Sequence, residues 1–316
     1  MGHLSNGSSD SDKQEGAMAD QNAKPSDSLP RWYAEIFPAG NSRGFFHNLG
    51  DHSAVFIQRE SRQLVVSFDN LAEAGGRHYN REPWGGKFIA EQNWSHLGIF
   101  AQGPTWYRDA ALITFLESLR DTGFFSQFDR VAFCGASMGG FAAMAFASLA
   151  PGATVLAFSP QTTLAASIVP WEERFAKGRA QDWALPHGDA ADELSHAGSV
   201  YVVCDPFEAL DKQHLDRLGH VPTLIALRAP GLGHKSALLL RRMDRLKPVM
   251  KGAIDGTLTR REFARLIRDR RDLYLYKTTM DGHLRARNRP ERADRLSRAF
   301  KLRRRNREQA TKQSPQ

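Results

Sequence analysis

A chain of 316 residues, 41% of them hydrophobic and 10% aromatic, is long enough to bury a substantial core. No run approaches the roughly 18 to 20 consecutive apolar residues that cross a bilayer, and the first thirty residues lack the apolar stretch of a secretory signal, so a cytoplasmic address is the default expectation. The net charge of +8 joins two unlike parts: residues 241–316 hold 24 Lys and Arg against 9 Asp and Glu, a net of +15, while residues 1–240 hold 19 against 26, a net of −7. Attraction to a polyanion is therefore a matter for the C-terminal part alone.

Residues 1–30 are rich in Ser, Asp, Gly, Asn and Gln, a composition that cannot offset its own ordering entropy, and they read as a disordered leader. From residue 53 short apolar runs alternate with helix-length segments, the pattern of a mostly parallel central sheet with helices on both faces. Strands are predicted at 54–58, 64–68, 97–101, 131–134, 154–158, 200–204 and 222–227. The charged turn from Arg59 to Arg62 is too short for a crossover helix, so the first two strands are expected to form an antiparallel N-terminal hairpin. Helices are predicted at 109–119 and at 139–149, the latter closed by Pro151, then at 235–250 and 259–270, where Thr259-x-x-Glu262 reads as a capping box. This divides the chain into a leader (1–30), an α/β domain (31–250), a C-terminal helical extension (251–300) and a basic, flexible tail (301–316).

Cys134 and Cys204 both lie in apolar strand-like runs, where a thiol behaves as a small buried hydrophobe. The chain has no CxxC and no HExxH, and its histidines are scattered singly. No metal and no cofactor is expected from that pattern.

The chemistry centres on Gly135-Ala136-Ser137-Met138-Gly139, set after an apolar strand and before an Ala-rich helix. A serine on a strained strand-to-helix turn needs small neighbours, and the helix N-terminus turns its positive end toward a developing oxyanion. A serine of ordinary acidity also needs a histidine base and a carboxylate to orient it, following in the order Ser, acid, His on later strand-end loops. Asp205 directly follows the predicted strand 200–204, with Glu208 and Asp211 as competitors a turn further on. His234 lies in the Pro230-Gly-Leu-Gly-His loop after the next strand; its rival His220 precedes that strand and falls at the wrong edge. The oxyanion would meet the N–H of Met138 and a second group from the loop after the strand 64–68, Leu71 through its N–H or Asn70 through its side chain.

These residues resemble the α/β-hydrolase superfamily over about residues 45–250, and the resemblance implies hydrolysis or transfer of an acyl group. More narrowly, Gly-Ala-Ser-Met-Gly-Gly-Phe, Phe158-Ser-Pro-Gln161, Pro170-Trp171 and Gly233-His234-Lys235 are similar to a poorly characterised bacterial branch whose members are sometimes labelled phosphoadenosine phosphosulfate reductase. Such a label implies a phosphosulfate-binding loop and a reactive cysteine near the C-terminus, and the sequence has neither.

Trp84, Trp106, Tyr107 and Trp171 fall near the expected site and are candidates to stack on a sugar or line an acyl pocket, with ordinary packing as the competing reading. The expected activity is that of a serine hydrolase cleaving an ester or thioester of a small molecule or glycan. The alternative is a non-catalytic binding module on the same fold, with the tail around Arg303-Arg304-Arg305 as a weak polyanion contact.

Overall fold

Val65 and Val66 are chain neighbours that face opposite ways, and the same alternation along every central strand builds a core on each side of one sheet. Val66, Phe133, Val155 and Val202 face one core, and Val65, Cys134, Leu156 and Val203 face the other. The structure, a computed structural model, describes residues 29–37, 43–75 and 81–313. Apart from Leu29 and Pro30, the leader expected over residues 1–30 lies outside the described residues.

Among the described residues the eight strands are β1 (Gly44–Asn48), β2 (His52–Ile57), β3 (Gln63–Phe68), β4 (Ser95–Ala101), β5 (Arg130–Ala136), β6 (Thr154–Phe158), β7 (Ser199–Cys204) and β8 (Leu224–Arg228). They lie in the order β1-β2-β4-β3-β5-β6-β7-β8. Only the pairs β1–β2 and β2–β4 are antiparallel. This is the α/β-hydrolase arrangement, a mostly parallel sheet with an antiparallel N-terminal pair.

The antiparallel hairpin is β1–β2, however, and not the pairing of 54–58 with 64–68 expected from the sequence. β4 lies between those two strands. The turn from Arg59 crosses the end of β4, a span of about two strand spacings, or ~10 Å. It is tied there by the Arg59 N–H donating to Ser95 Oγ (3.0 Å) and by Arg59 Nη1 donating to the Trp94 carbonyl (2.8 Å). A short connection excludes a crossover helix, but it does not exclude a third strand inserted between its ends.

The helices are α1 (Arg31–Ile36), α2 (Gly86–Glu91), α3 (Ala110–Asp121), α4 (Met138–Ala145), α5 (Ala176–Arg179), α6 (Ala209–Arg217), α7 (Ser236–Arg242), α8 (Leu246–Ile254), α9 (Arg260–Leu266), α10 (Tyr274–Ala286) and α11 (Pro290–Gln313). Leu112, Leu116 and the whole of α4 fill one core, whereas Phe88, Ile89, Leu239, Leu240, Val249 and Ile254 fill the other. Asp109 caps α3 by accepting from the Leu112 N–H, and the Thr259–Glu262 capping box opens α9.

The boundary expected at residue 250 falls inside α8, and Phe263 and Ile267 beyond it pack into the sheet's second core. Residues 301–313 of the tail expected to be flexible lie in α11, which runs to Gln313. Contacts with the preceding segment hold α11: Arg285 pairs with Asp294, Tyr274 packs edge-on to Phe300, and, within residues 301–313, Arg303 pairs with Asp272. Among the described residues no helix is long and apolar enough to cross a membrane.

Candidate active site

Ser137 joins β5 to α4 with φ 51° and ψ −116°, a backbone conformation that few side-chain-bearing residues adopt. Two close approaches make the turn possible. A Cβ on Gly135 would lie 2.2 Å from the Gly139 carbonyl oxygen, and one on Gly139 would lie 2.5 Å from that of Phe68. Only glycine at both positions lets the chain double back and lets α4 start against the end of β3. The Ser137 N–H is fixed by the Phe158 carbonyl (2.9 Å), and its side chain remains half-buried.

His234 stands on the loop between β8 and α7, with a quarter of its side chain exposed. Its Nε2 lies 3.0 Å from Ser137 Oγ, and its Nδ1 lies 2.8 and 3.0 Å from the two carboxylate oxygens of Asp211. A carboxylate accepts, so Nδ1 carries the hydrogen and Nε2 is left to accept the serine proton. Asp211 is buried in the first turn of α6. Burial alone would raise its pKa, but the hydrogen bond and charge of His234 and the charge of Arg174 outweigh that and hold the carboxyl below its ordinary range.

Asp205, the acid expected from the sequence, does not reach the imidazole. Its Oδ2 accepts the N–H groups of Gly231 and Gly233 (2.8 Å each), and its Oδ1 accepts that of Phe207 (2.9 Å). The first position past β7 is aimed at the backbone of the histidine loop, whereas the next helical turn carries a side chain under the ring. Asp205 therefore shapes the loop and Asp211 meets the imidazole. The sequence signal for Asp211 was its place on the helix following β7, with His214 one turn on along the same buried face.

Met138 is the first residue of α4, so its N–H has no partner within the helix. The close fit of Gly139 against the Phe68 and Asp69 carbonyls sets the turn after β3 beside that N-terminus. Asn70 acts as a brace, its Oδ1 accepting the N–H groups of Ala72 (2.8 Å) and Glu73 (3.2 Å). Leu71 sits at the tip with 38% of its surface exposed. Beneath the turn, buried Asp69 takes a two-pronged pair from Arg81 (2.6 and 3.0 Å) and accepts the Ala101 N–H, while Tyr107 donates its hydroxyl to the Asp69 carbonyl (2.8 Å). Nearby Glu73 is pushed up to about 7, first by burial and then by the charge of Asp69.

Three of the four aromatic candidates belong to the core. Trp84 packs toward Phe158, Trp106 is fully buried with its indole N–H on Gln161, and the Tyr107 ring is fully buried under the turn just described. Only Trp171 is half-buried, its ring centroid 4.6 Å from that of His214. Among the described residues, a ring that no sequence argument placed packs by the imidazole: Phe175, 5.9 Å from His234 and 5.0 Å from Trp106. Both cysteines are buried, and burial pushes the thiols up, Cys204 to about 12, so neither is a thiolate at neutral pH.

The chain matches no family model and no curated protein. Among solved structures it is similar to the capsule O-acetyltransferase of Neisseria meningitidis serogroup A, at 16% identity over 66% of this chain and 94% of that one with a TM-score of 0.47. A thermostable carboxylesterase cloned from a metagenomic library aligns at 14% identity over 72% and 93% with a TM-score of 0.48. The fluorophosphonate-binding serine hydrolase F of Staphylococcus aureus aligns at 13% over 66% and 97% with a TM-score of 0.45. These likenesses are of fold alone.

Proposed function

We propose that the chain is a serine-dependent acyl hydrolase, cleaving an ester or thioester through a covalent acyl-enzyme. The observation that carries this reading is the continuous hydrogen-bonded line from Ser137 through His234 to Asp211, built on a strained strand-to-helix turn. In the first half-reaction Ser137 Oγ attacks the acyl carbon and its proton passes to His234 Nε2. The imidazolium then protonates the departing alcohol or thiol, leaving the acyl group on Ser137. In the second, water attacks the acyl-enzyme, gives its proton to His234, and the carboxylic acid leaves as Ser137 regains its hydrogen. Asp211 holds the ring tautomer throughout, and the Met138 N–H faces the developing oxyanion together with an N–H from the Asn70–Leu71 turn.

Intact-mass and peptide spectrometry after exposure to a fluorophosphonate tests the reading. One adduct on Ser137, absent from Ser137→Ala, is expected. A folded protein that takes no adduct and turns over nothing in a broad ester and thioester panel is a binding module on this fold. The solvent-facing side of α11, where Arg292, Arg295, Arg298, Lys301 and Arg305 are exposed opposite buried Ala293, is our candidate for the polyanion contact.

A further inference from the structure

The segment between β6 and β7 folds over the carboxyl ends of the strands, and it reaches Asp211 through one side chain. Arg174 donates from Nη1 to Asp211 Oδ1 (2.8 Å), the same oxygen that lies 3.0 Å from His234 Nδ1. The rest of the guanidinium is held from behind. Nε meets both oxygens of Glu172 (3.0 and 3.1 Å), and Nη2 donates to Oε2 of the same carboxylate (2.6 Å).

Glu172 is itself anchored to α6. Its Oε2 accepts from His214 Nε2 (3.1 Å), since His214 Nδ1 accepts the Thr162 N–H (3.1 Å) and the ring hydrogen must sit on Nε2. Asp211 and His214 share the buried face of α6, so two side chains of one helix receive the Glu172–Arg174 pair side by side. Burial alone would raise Glu172, but the hydrogen bonds from His214 and Arg174 bring it down to about 2, so the pair is ionised at any working pH.

We propose that Arg174 is a positioning residue of the Ser137–His234 centre, fixing the Asp211 carboxylate under the imidazole and tempering its negative charge. The inference rests on the serine-hydrolase reading above. Asp211 has one oxygen shared between Arg174 and His234, and a carboxylate gripped on that side cannot turn away from the ring. The charge matters as much as the grip. The groups that bear on His234 are Asp211 and Glu208 from the β7–α6 connection, Asp205 behind its own loop, its neighbour Lys235, and Arg174 with Glu172 from the segment above. Removing Arg174 strips a cation bound directly to the acid. The imidazolium is then favoured, so the base is neutral only at higher pH.

The test is the rate of fluorophosphonate labelling at Ser137 against pH, on the full chain, for wild type, Arg174→Gln and Arg174→Lys. Arg174→Gln is expected to move the midpoint of the profile up by about one pH unit and to lower the plateau about tenfold. Arg174→Lys keeps the charge without the fork, so its midpoint should stay near wild type while its plateau falls. Equal midpoints and plateaus in all three overturn the inference, and if Arg174→Gln does not fold, an unchanged plateau in Arg174→Lys does so alone. A wild type that takes no adduct sinks the hydrolase reading instead. The inference is then decided by the His234 ring titration followed by NMR in wild type and each folded variant: an upward displacement in Arg174→Gln supports it, and coincident curves for wild type and that variant overturn it. Where only Arg174→Lys folds, its His234 ring signals decide, a change from wild type supporting displacement of Asp211 and identical signals overturning it.

Discussion

Asp205 and Asp211 serve one histidine by different means: Asp205 binds the backbone N–H groups of Gly231 and Gly233, and Asp211 binds the ring nitrogen of His234. Their substitutions should therefore separate. Asp211→Asn leaves the ring with an amide that can present its N–H side to Nδ1 and favour the wrong tautomer, and labelling of Ser137 should fall by about 10³ or more with the fold intact. Asp205→Asn should act through the loop, lowering the thermal midpoint and costing less activity. Melting curves and labelling rates on both variants check the split, and the reverse ranking would return the acid's role to Asp205.

Ser137→Ala and His234→Ala should each lower turnover of whatever ester the wild type accepts by about 10³ or more, and the double variant should be little worse than either. Groups that act as one unit do not contribute additively. Steady-state kinetics on the three variants read this directly.

Gly139→Ala tests the close fit of α4 against the turn after β3. The added methyl would stand 2.5 Å from the Phe68 carbonyl oxygen and 2.6 Å from that of Asp69, both backbone atoms that cannot swing aside. We expect either failure to fold or a folded protein with labelling reduced at least about a hundredfold. Ala at Gly152, where nothing lies near the added atom, is the matched exposed-site comparison, with only its positive φ to strain.

Glu73 makes stability depend on pH in an unusual direction for a carboxylate. Its folded-state value of about 7 lies above the ordinary carboxylate value of 4.5, so the folded protein keeps a proton that the unfolded chain releases. That contribution to stability is complete at low pH, declines as pH rises from about 4.5, and is gone above about 7. Glu73→Gln should gain thermal stability relative to wild type at pH 8 more than at pH 5. A constant difference between the two pH values would show that the carboxyl titrates normally.

Replacing Arg292, Arg295, Arg298, Lys301 and Arg305 together by Gln should weaken retention on immobilised heparin and flatten its dependence on salt, with labelling at Ser137 unchanged. Retention equal to that of wild type would place the polyanion contact elsewhere.

The central strands and the serine turn were legible because each depends on local pattern: period-two apolar runs, and small residues where backbone must meet backbone. β1 left no such trace, since Gly44–Asn48 is an edge strand with only two half-buried side chains. The β2–β4 pairing joins residues far apart in the chain, and nothing local to Arg59 reveals that Ser95 will arrive beside it. Spacing favours Asp205 over Asp211 because the reach of a helical side chain depends on how the helix is rotated over the sheet, which spacing alone does not fix. The aromatics are ambiguous for another reason. Tryptophan and tyrosine suit a ligand site and a core equally well, and Trp106 and Tyr107 satisfy their polar atoms inside the protein.

The backbone at Ser137 has a thermodynamic consequence of its own. A side-chain-bearing residue held at φ 51° and ψ −116° costs on the order of 1–3 kcal/mol, a cost that glycine would largely escape. Selection for robustness alone would thus erode this position, favouring an inert but hardier chain with glycine at 137. Under the hydrolase reading proposed above, a serine here exchanges durability for reactivity, and a Ser137→Gly protein that melts above wild type would measure the exchange.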